Sequence, residues 1–283
     1  MKNLLILLVL VGALTLKARH LRMNISQAMA LKKIKVQVTG TGGHSGYCIS
    51  LLLSNTSPDS LILDFDPGLK FNSLNDQDQD ILLVKKLTVP LKHGEQKKVF
   101  AKGYCCQATK HSPGNKSLFK VEANKDSNLI LVARFLDQYS FDPGVEQQAV
   151  WSISDGSPTG SIFSENIASL RNLRSLVAGL KNEEDPWYSY ESAQHIYSNG
   201  VIAIMPLKLT GLLKYNSPSL EFTTLEVLND AQVPVCMIKS GWLKPGSNEE
   251  FPVDIDIRGL QKGRYSVQLR TKEKVLVCRH FQI

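Results

Sequence analysis

The amino-acid sequence predicts an α+β fold, mainly β: an immunoglobulin-like β-sandwich with an inserted three-helix segment, followed by a small C-terminal β-sandwich module. Three observations carry this. Short apolar runs separated by turn residues fill the chain from Lys33 to Ala101, as half-buried strands do. Apolar residues then recur at helical spacing between Asp126 and Leu180, and strand-like runs return from about Leu209 to Ile283. With 283 residues and 43% hydrophobic content, the chain is long enough for about two domains.

The expected organisation is a signal peptide over residues 1–18, a leader over 19–29, the helix-bearing sandwich over 30–208 and the last module over 209–283. Met1-Lys2-Asn3 gives a basic start, Leu4 to Leu16 an apolar run, and Ala13 and Ala18 are small residues suited to a cleavage site. That pattern is a secretory signal, which predicts a secreted or cell-surface protein. The run falls short of the ~20 residues that cross a bilayer, and no later stretch reaches that length, so no integral membrane span is expected. The net charge of +7 comes from Lys and Arg scattered among acids, without a basic, aromatic-interleaved motif. Nucleic acid is therefore not an expected partner.

Residues 19–29 show no period. Ile34, Val36 and Val38 alternate with polar residues until Gly40, Gly42 and Gly43 end the run. Cys48 to Leu53, Leu61 to Leu63, Ile81 to Val89 and Lys97 to Ala101 continue the series, and Asp66-Pro67-Gly68 supplies a turn. Helices are expected near 127–138, 145–153 and 165–180. Asp126-Ser127 caps the first, the second buries Ala149 and Trp151, and Ser164 caps the third, whose apolar face runs from Ile167 to Leu180. Glu183 to Pro186 breaks it. The aromatics Trp187, Tyr188, Tyr190 and Tyr197 then fall in a polar, irregular context, where rings either pin a long connection or stack on sugar. Trp187, Tyr188 and Tyr190 are thus the ligand-contact candidates.

The last module reads as strands at 225–228, 235–238, 251–257, 265–269 and 275–283, separated by turns. Two of its segments resemble the C-terminal sorting domain of the type IX secretion system. Val253 to Leu269 has the alternating acidic strand and the Leu260-Gln261-Lys262-Gly263-Arg264-Tyr265 turn. Glu226 to Gln232 is similar to that family's earlier hairpin, with Gln232 where a glycine is usual. The resemblance implies export across an outer membrane by the secretion machinery and attachment at the surface.

Five cysteines, Cys48, Cys105, Cys106, Cys236 and Cys278, are an odd number for an exported chain. A disulfide between Cys236 and Cys278 is expected, as is one between Cys48 and either Cys105 or Cys106, which leaves one thiol over. Tyr104-Cys105 together with Gln147-Gln148-Ala149-Val150-Trp151 resembles the paired motifs of bacterial surface thioester domains. That resemblance implies an internal thioester between Cys105 and Gln147, with Glu146 where the family carries threonine.

The six histidines are too far apart for a zinc motif, and Gly156-Ser157-Pro158-Thr159-Gly160 is not a nucleophile elbow. Asp76, Asp78 and Asp80 start like a calcium loop, but Ile81 and Leu87 occupy its glycine and glutamate positions. No metal, cofactor or catalytic residue is expected. The reading is a non-enzymatic extracellular or surface binding protein for an unknown protein or glycan. A covalent thioester adhesin is the first alternative and a secreted hydrolase the second.

Overall fold

The computed structural model describes residues 20–197 and 201–283. The expected signal peptide lies outside the described residues. The chain is mainly β, with several sheets and a helical segment. Its first part contains β1 (His20–Asn24), α1 (Ile25–Ala30), β2 (Ile34–Gly40), β3 (Ser45–Asn55), β4 (Ser60–Phe65), β5 (Lys70–Ser73), β6 (Ile81–Leu83), β7 (Leu87–Leu91), β8 (Gln96–Cys105) and β9 (Leu118–Glu122).

Strands β2, β3, β8, β6, β5 and β9 close a barrel in that order, while β1, β4 and β7 form a separate sheet. A barrel thus stands where a sandwich was expected. The apolar run from Ile81 to Val89 is the cause. It breaks after Val84, so that β6 pairs with β5 and β8 in the barrel and β7 pairs with β4 in the sheet. Ile49, Leu51, Leu53, Leu63, Phe65, Phe71 and Phe119 fill one core between them. Closure leaves the barrel without a free edge.

Residues 20–30 are not a loose leader. His20 to Asn24 pair in parallel with Ser60 to Asp64, and Arg22 grips the Asp64 carboxylate at 2.6 and 2.9 Å. The Asn24 side chain accepts from Gln27 N at 2.8 Å while Gln27 Oε1 accepts from Asn24 N, a reciprocal helix cap. Ile25 and Ala28 are then buried.

Three helices follow: α2 (Ser127–Gln138), α3 (Pro143–Ser154) and α4 (Arg171–Lys181). Asp126 caps α2, its carboxylate accepting from Asn128 N and Leu129 N. The third helix starts later than expected. Asn166, not Ser164, caps a short 3₁₀ turn over Ile167–Leu170, and α4 begins only at Arg171. The helices bury Val132, Ala149, Val150, Leu173 and Val177 against the outer face of the barrel. Strand alternation divides the two cores. Ile81, Leu83 and Cys105 belong to the barrel core, Leu82, Tyr104 and Cys106 to the helical one.

The rest of the chain comprises β10 (Tyr188–Ile196), β11 (Ile202–Ser217), β12 (Glu221–Asn229), β13 (Pro234–Leu243), β14 (Gly246–Asp256), β15 (Arg264–Arg270) and β16 (Val275–Gln282). One sheet runs β10-β11-β14 and the other β13-β12-β15-β16. Tyr190, Leu209, Leu213, Leu225, Val227, Val253, Ile255 and Val267 form their common core. Tyr188 and Tyr190, expected in an irregular connection, lie on β10 and belong to this module. Arg174 of α4 reaches across to it, donating to Ser189 Oγ at 2.8 Å and to the Tyr188 carbonyl. No helix among the described residues is long and apolar enough to cross a membrane.

Candidate functional site

The last residue of β8 lies where its neighbour runs out. β3 begins at Ser45, opposite Tyr104, so beyond that pair it offers Cys105 only the carbonyl of His44, which accepts from Cys105 N at 3.0 Å. Buried backbone polar groups require partners. Here α3 supplies one. A glutamine carboxamide carries the same donor and acceptor as a peptide unit, and Gln147 uses both. Its Oε1 accepts from Cys105 N at 3.2 Å and its Nε2 donates to Cys105 O at 2.8 Å. Two residues 42 positions apart are thereby joined at two points, both of them buried.

The neighbours of Gln147 hold α3 in this register. Glu146 is fully buried, which a carboxylate tolerates only when paired and hydrogen-bonded. Lys102 Nζ lies 2.9 Å from its Oε2, and Tyr104 Oη donates to that same oxygen at 2.6 Å. Phe141 N donates to Oε1 at 3.1 Å. Burial together with the Glu146 carboxylate drives the Tyr104 hydroxyl far above its ordinary range. Both Lys102 and Tyr104 sit on β8 within three residues of Cys105, so this clamp fixes the same strand end that Gln147 grips.

One helical turn after Gln147, Trp151 is wholly buried, and its indole stacks on the His44 imidazole with centroids 6.4 Å apart and planes 15° from parallel. Burial depresses the His44 pKa, which leaves the ring neutral at pH 7. The Trp151 Nε1, Ser152 Oγ and Gln148 Oε1 atoms are buried without a hydrogen-bond partner among the described residues. On the far side of the strand, Cys106 N donates to Asp80 O at 2.9 Å. The Asp80 carboxylate holds Lys70 Nζ and Gln107 Nε2 at 2.8 Å and Ser73 N at 2.9 Å. Burial alone would raise the Asp80 pKa, but these partners outweigh it and hold the group below its usual range.

All five cysteines are free thiols, which corrects the expected disulfides. Cys236 lies on β13 and Cys278 on β16, the two outer strands of one four-stranded sheet. Three strand spacings, about 14 Å, separate such positions, beyond the reach of a disulfide. Cys48 instead donates from Sγ to Gly103 O at 3.4 Å. Burial pushes the Cys48 and Cys106 thiols up to about 12 and raises Cys105 well above its usual range. The three inner cysteines are consequently protonated at neutral pH.

The aromatic candidates behave differently. Tyr188 and Tyr190 are buried in the core of the last module, so neither offers a free ring face to a ligand. Trp187 is partly buried, and its Nε1 donates to His280 O at 2.7 Å. It borders a cleft of 510 Å³ whose lining includes Glu183, Asp185, Arg264 and Arg279. Among the described residues no cluster of His, Cys, Asp or Glu could hold a metal ion.

Sequence reasoning brought Cys105 and Gln147 together and missed three partners: Glu146, Lys102 and His44. Glu146 had one signal, a charge inside an otherwise apolar helix face. His44 had none, because a loop residue's stacking partner has no sequence period.

No family model matches the chain, and no curated protein matches it. Among solved structures, the chain is similar to a β-glucosidase from Streptomyces venezuelae in complex with D-glucose, at 10% identity. The match covers 88% of this chain and 47% of that one, so the chain spans about half its length. The TM-score of 0.19 is too low to indicate a common fold.

Proposed function

We propose that this is an exported protein acting at or beyond the cell surface, and that its barrel carries a reactive internal thioester between Cys105 Sγ and Gln147 Cδ. The observation behind this reading is the two-point grip of the Gln147 carboxamide on the Cys105 peptide. It holds the acyl carbon against the Cys105 backbone; the Cys105 side chain packs in the barrel core, so bond formation requires Sγ to turn towards Gln147. In thioester formation the S–C bond forms, the C–N bond breaks, and the thiol proton leaves with the nitrogen as ammonia. A nucleophilic amine on a binding partner later forms a C–N bond to the same carbon. The C–S bond breaks, and the amine proton ends on the released Cys105 thiol. The thiolate is a good leaving group, which is what makes the stored acyl group reactive.

Burial supports the reading in two ways. The thioester is neutral, as the protonated Cys105 thiol is, so the apolar site holds it without burying a charge. A site closed to bulk water also slows the competing hydrolysis. The alternative use of the same contact is purely structural, with Gln147 completing a hydrogen-bond ladder that β3 leaves unfinished. Intact mass distinguishes the two. The thioester protein is lighter than its sequence by one ammonia, and methylamine raises it by one methylamine. A full-sequence mass that methylamine leaves unchanged rejects the thioester.

For the last module we propose the sorting or anchoring role of an immunoglobulin-like domain. Support comes from the β12–β13 turn, where Gln232 adopts a positive φ of 59° at the position that the resembled hairpin gives to glycine. Recovery of the protein from the surface of its producing cell without residues 209–283 tests this role, and an intact C-terminus on that surface form rejects it.

A further inference from the structure

We infer that the Trp151 indole N–H is the second hydrogen-bond donor to the Gln147 acyl oxygen as the thioester forms and opens; the inference rests on the thioester reading above. Trp151 follows Gln147 by four residues on α3, so the two side chains share one helix face. The indole is wholly buried, yet its Nε1 has no hydrogen-bond partner among the described residues. Buried indole N–H groups usually find an acceptor. The ring is also tied to the reacting residues from the other side. It stacks on His44, whose carbonyl accepts from Cys105 N, the same N–H that donates to Gln147 Oε1.

The chemistry requires such a donor. When sulfur or an incoming amine adds to the acyl carbon, the Gln147 oxygen takes a full negative charge; as the C=O bond re-forms, the electron pair of the breaking C–N or C–S bond leaves with nitrogen or sulfur, which is protonated. Fixed donors aimed at that oxygen stabilise the charge without reorganisation. One donor is present already, Cys105 N–H, but it is shared with the His44 carbonyl. The other unpartnered polar atoms of α3 do not serve. Gln148 Oε1 is only an acceptor, and Ser152, five residues after Gln147, points to a different face of the helix. The His44 imidazole is held neutral by burial and contributes no positive charge there. Trp151 would therefore be a positioning and charge-stabilising residue rather than a nucleophile or base.

The test uses the full chain and its Trp151→Phe variant, which keeps a ring against His44 and removes the N–H. Methylamine opening of the thioester, followed by mass, should slow by about 10² to 10³ in the variant, the usual effect of losing one such donor. Equal opening rates overturn the inference while leaving the thioester intact; a wild-type chain with no thioester overturns both. Indole ¹⁵N–¹H spectra of the wild-type chain give a second readout that does not depend on the variant's folding. Three tryptophans give three signals. The Trp151 signal should shift on methylamine opening, while that of Trp187, bonded to His280 O, stays in place. A Trp151 signal that does not move is the contrary result.

Discussion

Replacing Glu146 with alanine tests whether the buried carboxylate is what seats α3 on the end of β8. The change removes one acceptor group and leaves three donors behind it. Tyr104 Oη and Phe141 N–H lose partners at 2.6 and 3.1 Å, and Lys102 loses its counter-ion at 2.9 Å. Breaking a buried pair by deleting one member costs about 3–5 kcal/mol, and each buried donor left unsatisfied about 1–3 kcal/mol. These terms overlap, and the Lys102 side chain, 20% exposed, can turn its ammonium to water. The expected loss is accordingly about 4 kcal/mol, close to three decades in the folding constant. Glu146→Gln keeps the shape and one acceptor oxygen, and should lose about half as much. Urea unfolding of the three proteins measures both values. A Glu146→Ala loss below about 1 kcal/mol with an unchanged denaturant slope would refute the clamp.

Three further outcomes follow from the same geometry. At Gly103, an added Cβ would meet Ile81 Cγ2 at 2.6 Å and the Leu82 carbonyl oxygen at 2.8 Å. Gly103→Ala should therefore destabilise the barrel by about 3 kcal/mol, which thermal unfolding reports. Gln232 holds a left-handed backbone, φ 59°, in the β12–β13 turn. Gln232→Gly should stabilise by about 0.5–1 kcal/mol in the same measurement, and a loss of stability contradicts the turn. The third outcome concerns alkali. Cys48 and Cys106 stay protonated to about pH 12 in the folded chain but ionise near 9 when unfolded. The unfolded state thus binds fewer protons between those values, so stability is complete below about pH 9 and falls as pH rises towards 12. Cys106→Ala should flatten that fall in denaturation midpoints taken across the range.

The parts of this fold that are legible in the sequence are those with a local period. Ile34, Val36 and Val38 alternate and form β2, and Leu129, Val132 and Leu136 mark α2. Barrel closure is not local. It depends on β5 and β9, where Phe71 and Phe119 are the only buried residues, too few to show a period. Tyr188 and Tyr190 did alternate, but the polar residues around them made an edge strand read as a loop. The cysteines were misread for a different reason. Their number says nothing about which sheet edge each one occupies, and two edges of one sheet cannot be bridged. At the site, Gln147 and Cys105 were visible as residues of a resembled pattern. What Glu146 does was not visible, because a glutamate becomes intelligible only when Lys102, Tyr104 and Phe141 surround it.

Peptide mapping of the unreduced, unalkylated protein from its producing cell tests the central claim most directly. If the thioester exists, the peptides containing Cys105 and Gln147 are recovered as one joined species lighter by an ammonia. That species is absent from the Cys105→Ala chain, and after methylamine it separates into a free thiol and a methylated glutamine. Recovery of two separate peptides of full mass, with Cys105 open to alkylation once the chain is unfolded, would contradict the claim and leave Gln147 as a side chain that completes a strand.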